Sequence, residues 1–506
     1  MLLKPDQARA YIEKFNQNDE ENIIQLVDNR HAWDWLCDSM PRFECPDPIL
    51  EETYYFRWWV FRKHIKQTPD GPIVTEFHPE VPWAGKHNSI NASACHHFYE
   101  GRWLANRQEF LGNYALFWFR KGGSLRSYSA WLVDAIWNMA RVSGDFSLAV
   151  DLLPDFIADF GAWEEANLHS SGLFWSNDDR DAMEFSISGS GLRPTLNTYK
   201  YADALAISQI ARLAGKSGIE EQFREKALRI KTLVQERLWD PKDEFFKCIP
   251  LPDKDSPVPT WDFKSMDPER NVREEIGFIP WAYGLPDRGY EAAWRQLMDP
   301  AGFAAPYGPT TVEQRHPRFM FRHDVHECLW NGPSWPFSTC QTLMGMANLL
   351  TRYHPSVVDR EDYLKVLKVY AGSHYRALPD GRVVNWLDEN LDPFTGEWLA
   401  RSILEKWGWR ADKGGRERGK DYNHSTFCDL IISGLVGFQP GEGDSFEVHP
   451  LVPDGVWDYF CLDHLSYHGK KITVSYDATG ERYGHGKGLH IFVNGLPLET
   501  KPALET

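Results

Sequence analysis

Three things are missing from this 506-residue chain, and each absence removes a class of explanation. Its eight cysteines are scattered, with no CxxC pair, so neither a zinc cluster nor a dense disulfide framework is expected. No stretch approaches the roughly 18–20 apolar residues of a membrane helix, and the start, MLLKPDQARAYIEKF, turns charged at once, without the apolar core of an export signal. These features predict a soluble, cytoplasmic protein. Positive charge is also scarce. The formal net charge is −17, which argues against nucleic acid or an anionic membrane as partner. Nothing in the chain calls for a cofactor or a metal, and nothing fixes an oligomeric state.

Tryptophan is plentiful instead, at 22 residues. Most of these belong in a core, but indole faces also suit the flat apolar faces of sugar rings. Residues 5–66 read as helical, with apolar residues at i, i+3, i+4 spacing in 6–16, 20–27 and 47–66. The segment 67–90 reads as a loop or small hairpin. Helical patterning returns at about 91–120, 127–144, 146–168, 195–214, 218–239, 271–282, 287–298, 334–352, 359–377 and 421–435, while 240–270 reads as an irregular excursion. About a dozen helices in consecutive hairpins, without a strict sequence repeat, suit a toroid of six inner and six outer helices. After residue 440 the period changes to two, and Asn494-Gly495 signals a hairpin. The expected organisation is an (α/α)6 barrel over 1–440, with N-terminal helices over 1–66, and a small β-sandwich-like domain over 441–506. In such a toroid the loops near 83–103, 174–193, 322–335, 385–398 and 407–424 gather into a funnel.

Two of those loops are acidic. The first, SGLFWSNDDRDAMEFSISGSGLRP, carries Asp178, Asp179, Asp181 and Glu184 behind Trp175, and Arg193, Asn197 and Tyr199 follow. Carboxylates this close repel one another, which raises at least one pKa, as a general acid requires. The second, NWLDENLDPFTGEW, sets Asp388, Glu389, Asp392 and Glu397 between Trp386 and Trp398. Two carboxylate loops with aromatic neighbours are what glycoside hydrolysis asks for. A solvated turn or a helix cap is the plain alternative for each. In RHDVHECLWNGPSWP (322–336), Trp330 and Trp335 flank Asn331 as a stacking platform with an amide, or else pack in the core. His323, Asp324, His326 and Glu327 there could be read as metal ligands, but no matching ligand pair accompanies them. The loop 83–103 adds Lys86, His87, Asn88, His97, Glu100, Arg102 and Trp103 as candidate hydroxyl-binding groups.

These segments resemble a six-hairpin glycosidase, more narrowly the glycoside hydrolase family 63 type with mannosylglycerate hydrolase-like domains, and more distantly trehalases. WNGPSWP at 330–336 resembles the family's Trp-x-Gly-Pro-x-Trp-Pro segment, and ENLDPFTGE at 389–397 its Glu-x-x-x-Pro-x-x-Gly segment, whose leading Glu is the general base. That role maps onto Glu389. SNDDRD at 176–181 is similar to the segment whose first Asp is the general acid, which maps onto Asp178. Asn177 and Arg180 depart from that pattern, so Asp179, Asp181 and Glu184 stay open as the acid. TLNTYKYADALAIS (195–208) is similar to the helix that follows in that group, and the chain over about 30–505 also resembles a β-L-arabinofuranosidase-type family 142 subgroup. The tail resembles the small β domain of rhamnosidase- and family 65-like barrels. The resemblance implies an inverting glycosidase whose two carboxyls lie roughly 6.5–9.5 Å apart, where a retaining pair sits nearer 5–5.5 Å. An exo-acting enzyme on short oligosaccharides is the expectation. Two other readings stand beside it: a sugar epimerase or polysaccharide lyase using His87, His97, His323 or Tyr199, and a non-catalytic carbohydrate binder on the same scaffold.

Overall fold

The computed structural model describes residues 2–321, 326–353, 355–441 and 443–504. The helices run in consecutive hairpins around a closed ring. One member of each pair faces the centre: Asn91–Gly101, Leu132–Ser143, Pro194–Leu213, the tight turn Glu275–Phe278 continued by Ile279–Ala282, Pro336–Arg352, and a last segment built on the π-helical turn Leu430–Leu435. The outer partners are Pro48–Lys63, Leu111–Arg120, Leu153–Asn167, Ser217–Arg237, the turns over 291–298, and Arg360–Gly372. The architecture is an (α/α)6 toroid with a small C-terminal β domain.

Proline sets where several of these helices begin. Pro48, Pro154, Pro194 and Pro336 stand in the first turn, where the missing N–H has no intrahelical role. Asp47 caps the first of them by accepting the Ile49 and Leu50 amides at 3.1 and 3.2 Å. Helix Pro48–Lys63 is buried on nearly all sides because the N-terminal helix Pro5–Asn18 covers its outer face. Its buried charges are all partnered: Arg57 donates to the Ser425 carbonyl at 2.6 Å, and Lys63 pairs with Asp19 at 2.9 Å and with Asp421. The ring closes through Glu100, whose carboxylate accepts the backbone amides of Phe427, Cys428 and Asp429 at 2.9–3.2 Å.

Two helix expectations need correction. Residues 20–27 are not helical; Glu21 adopts a left-handed backbone (φ 45°) and its carboxylate accepts the Asn29 amide. The stretch 91–120 is two helices rather than one, broken at Gly101, where the ring of Phe61 lies 2.8 Å from where a Cβ would stand. That break supplies a hairpin the ring needs.

The connections before the inner helices are long and those after them are short, so the irregular chain collects at one end of the ring. Behind the other end lies an antiparallel sheet of Arg42–Glu44, Tyr459–Tyr467, Lys470–Asp477, Gly488–Val493 and Leu496–Lys501, in that order. Its edge strand Arg42–Glu44 comes from the N-terminal region, with Phe43 opposite Leu462. A continuous apolar core runs from the barrel into this sheet. Among the described residues no helix is long and apolar enough to cross a membrane.

Candidate active site

A cavity of about 500 Å3 opens at the loop-rich end. Its walls come from the connections 64–90, 121–131, 168–193, 299–335 and 373–425. Of the residues singled out from sequence, Glu389, Asp179, Glu184, His326, Glu327 and Trp335 line it.

The first acidic loop divides its carboxylates by environment. Asp181 is buried and consumed: Arg193 Nε lies 2.7 Å away and the Thr195 hydroxyl also donates to it. Arg193, itself buried, donates to the Gly189 carbonyl at 2.6 Å, so this ion pair pins the loop to the start of helix Pro194–Leu213. Asp178 turns toward Ser190 and Ser186, which donate to it at 3.2 and 3.4 Å, and it does not line the cavity. Asp179 is exposed at the wall, with its pKa raised by partial burial and by Asp178. Glu184 is half-buried and lines the cavity. Burial, with the charges of Asp179 and Glu389 added, pushes its carboxyl up to about 8. Among the described residues it has no ion pair. Its carbonyl accepts the Trp330 amide at 3.0 Å, which ties this loop to the WNGPSWP segment.

The second acidic loop is organised by arginines. Asp388 pairs with Arg401 at 2.6 Å and caps the Glu389 amide at 3.0 Å. Glu389 is buried yet faces the cavity. Arg418 Nε lies 2.7 Å from it, and the Cys328 thiol donates to its other oxygen at 3.1 Å. Burial raises the Glu389 pKa and Arg418 opposes that rise. Arg418 also pairs with Glu327 at 2.6 Å, and Lys413 reaches Glu327 at the same distance, so Glu327 is held down to about 2 against its own burial. Gly419 lets Asp388 and Arg418 come together. It has φ +75°, and a Cβ there would stand 1.9 Å from the Asp388 carboxylate.

The aromatic and polar candidates fare unevenly. Trp335 lines the cavity, and buried Trp330 stacks behind it, with ring centroids 4.5 Å apart and planes at 13°. Asn331 donates to the Phe321 carbonyl at 2.7 Å and so holds its own loop. Trp175 donates to the Leu251 carbonyl at 3.2 Å, and Asn197 clamps the Phe174 backbone through both its amide and its carbonyl. Trp386 lies between the guanidinium groups of Arg376 and Arg401, away from the cavity. His97 is buried, with its ring between Tyr114 and the Asn423 carbonyl and its pKa lowered to about 4 by burial. Trp103 is buried and donates to Asp429 at 2.7 Å. Of this group, then, only Trp335 reaches the cavity; the rest are held by contacts within the protein.

The cavity also has residues that the sequence reading passed over. Glu76, Tyr422 and His424 form a buried network on its floor, with the Tyr422 hydroxyl 2.6 Å and His424 Nδ1 3.2 Å from Glu76. Burial raises the Glu76 pKa, but His424 and Tyr422 overcome it and hold the carboxyl below its usual value. Trp83 packs against the Arg418 guanidinium at 4.7 Å. Arg418 itself sits in GGRERGK, whose glycines at 414, 415 and 419 were the signal available. Of the metal ligands considered, His323 and Asp324 lie outside the described residues. His326, Glu327 and Cys328 do bring ligand atoms within 4.8 Å of one another. Glu327 there is already neutralised by Lys413 and Arg418.

Residues 86–425, most of the barrel and every wall of the cavity except the segment around Glu76, match the mannosylglycerate hydrolase MGH1-like glycoside hydrolase domain. The chain belongs to that family. Residues 441–499 match the C-terminal domain of glycosyl hydrolase family 65. A solved structure named "Sialidase" is 39% identical with a TM-score of 0.90; the match covers 99% of this chain and 44% of that one. The chain thus spans less than half the length of that protein. The family 63 mannosylglycerate hydrolase of Thermus thermophilus shares the fold at 12% identity and a TM-score of 0.50, over 75% of this chain and 100% of that one. The α-L-rhamnosidase of Streptomyces avermitilis does so at 13% and 0.53, over 90% of this chain and 37% of that one.

Proposed function

We propose that this glycosidase-family cavity hydrolyses a glycosidic bond by an acid–base pair, with Glu184 as general acid and Glu389 as general base. The observation that carries this is two carboxyls on one cavity in different settings, Glu389 beside an arginine and Glu184 without an ion pair among the described residues. Glu184, raised to about 8 and without an ion pair among the described residues, holds a proton at neutral pH. Glu389 has Arg418 2.7 Å away, a cation that favours its charged form against the burial that raises its pKa. Each is near enough to feel the other's charge. Glu184 would give its proton to the leaving oxygen, and Glu389 would take one from the attacking water. Asp178 is then a loop residue, with its carboxylate committed to two serines.

Inversion of the anomeric centre and exo-action on short oligosaccharides are the finer part of the proposal. Cavity volume supports the latter, since about 500 Å3 lies within the roughly 300–1,000 Å3 of small-ligand pockets. The epimerase or lyase reading loses most of its named bases: His87 is bound to Asp70 at 2.7 Å, His97 is internally bonded, and the Tyr199 hydroxyl is buried against Gln341. His323 lies outside the described residues.

The test is hydrolysis of a panel of oligosaccharides and aryl glycosides by wild type, E184Q and E389Q, with the product anomer followed by NMR. Cleavage that falls 10²-fold or more in both variants, with the inverted anomer released first, supports the proposal. Sugar binding without turnover, or an ultraviolet-absorbing elimination product, rejects it.

A further inference from the structure

Phe185 follows the proposed acid directly, and its ring is 51% exposed. Its backbone is left-handed, φ +64°, at the third position of a turn over 183–186 closed by the Ser186 amide and the Met183 carbonyl at 3.1 Å. Glycine is the residue such a position favours, and a bulky side chain there is strained. Ala182, three residues earlier, is also left-handed at φ +59°. The chain therefore accepts strain on both sides of Glu184, and at Phe185 it also leaves a large apolar face in water. The ring lies beside His326, which lines the cavity, with centroids 5.4 Å apart and planes at 38°. An isolated exposed Phe needs no explanation. A strained one, next to the acid and paired with a ring of the cavity wall, does.

We propose that Phe185 and His326 form the platform on which the leaving group's sugar ring stacks, so that this pair selects glycosides whose aglycone is itself a sugar. The inference rests on Glu184 being the acid. A general acid must lie against the oxygen that departs, so the surface beside it on the open side of the cavity meets the leaving group rather than the sugar that stays. A flat apolar ring there gains by covering the apolar face of a pyranose or furanose, and the bound sugar removes that ring from water.

The experiment compares kcat/KM of wild type, F185A, F185G, F185W and H326A on two substrates with the same glycone, one with a sugar leaving group and one with fluoride. The expected result is a loss of about 5- to 10-fold on the oligosaccharide in F185A and F185G, the scale of one aromatic contact. The loss should lie mainly in KM, while the fluoride rate stays within about two-fold of wild type. F185W should keep activity, and H326A should show a smaller loss confined to the oligosaccharide. F185G relieves the left-handed strain, so a loss there cannot be charged to misfolding. Equal losses on both substrates, or no loss on the oligosaccharide, overturn the inference while leaving the hydrolase intact. A wild type that cleaves neither substrate overturns the hydrolase reading, and this inference with it.

Discussion

The two acidic loops use the same residue types and reach opposite results. In 176–184 the buried Arg193 goes to Asp181, and of the two carboxyls on the cavity, Asp179 and Glu184, the more buried Glu184 has no ion pair among the described residues. Two arginines from further along the chain serve the loop 385–398. Arg401 takes Asp388, and Arg418 remains for Glu389. In the proposed mechanism one carboxyl is the proton donor and the other the acceptor, and what distinguishes them is where guanidinium groups fall, not the acids themselves.

The sharpest way to break this comparison is to remove either carboxyl. E184Q and E389Q should each lower kcat/KM by 10²-fold or more, measured on any glycoside the wild type cleaves. D178N should stay within a few-fold, and a loss as large as that of E184Q would return the acid role to Asp178. The next effect is on stability. R193M leaves Asp181 buried and unpaired, and should cost about 3–5 kcal/mol in denaturant unfolding. R418M should act on activity and stability together, because it removes the arginine from Glu389 and leaves Glu327 with Lys413. The acid limb of its pH–rate profile should move to higher pH, as Glu389 then feels its burial without the guanidinium.

A smaller effect separates the loops by sign. The Glu184 pKa in the folded protein, about 8, lies above the usual carboxyl value. Its penalty is absent below the unfolded pKa and grows as pH rises toward 8. E184Q should therefore be more stable than wild type at pH 7 to 8, by about 2 kcal/mol once partial exposure is allowed for. At pH 4 the two should match.

The fold was largely legible because it is written in periodicity: helical hairpins up to residue 440, alternation after it, and prolines at helix starts such as Pro194 and Pro336. The failures were local. Residues 20–27 carry a helical pattern, but Glu21 spends its carboxylate on the Asn29 amide in a left-handed turn. Both acidic loops and the Trp335 wall could be located from sequence. Which acid faces the cavity could not, since that depends on Arg193 and the serines at 186 and 190, which claim Asp181 and Asp178. Tryptophan misled in the same way: Trp103, Trp175, Trp330 and Trp386 have the composition of a sugar site, but their partners lie within the protein.

The most direct measurement is the pH dependence of kcat/KM for wild type and E184Q on one substrate with an activated leaving group. The account predicts that wild type loses activity as pH rises through about 8, and that E184Q, slower but still measurable, shows no such alkaline limb. An alkaline limb that survives in E184Q and disappears in D178N would contradict it.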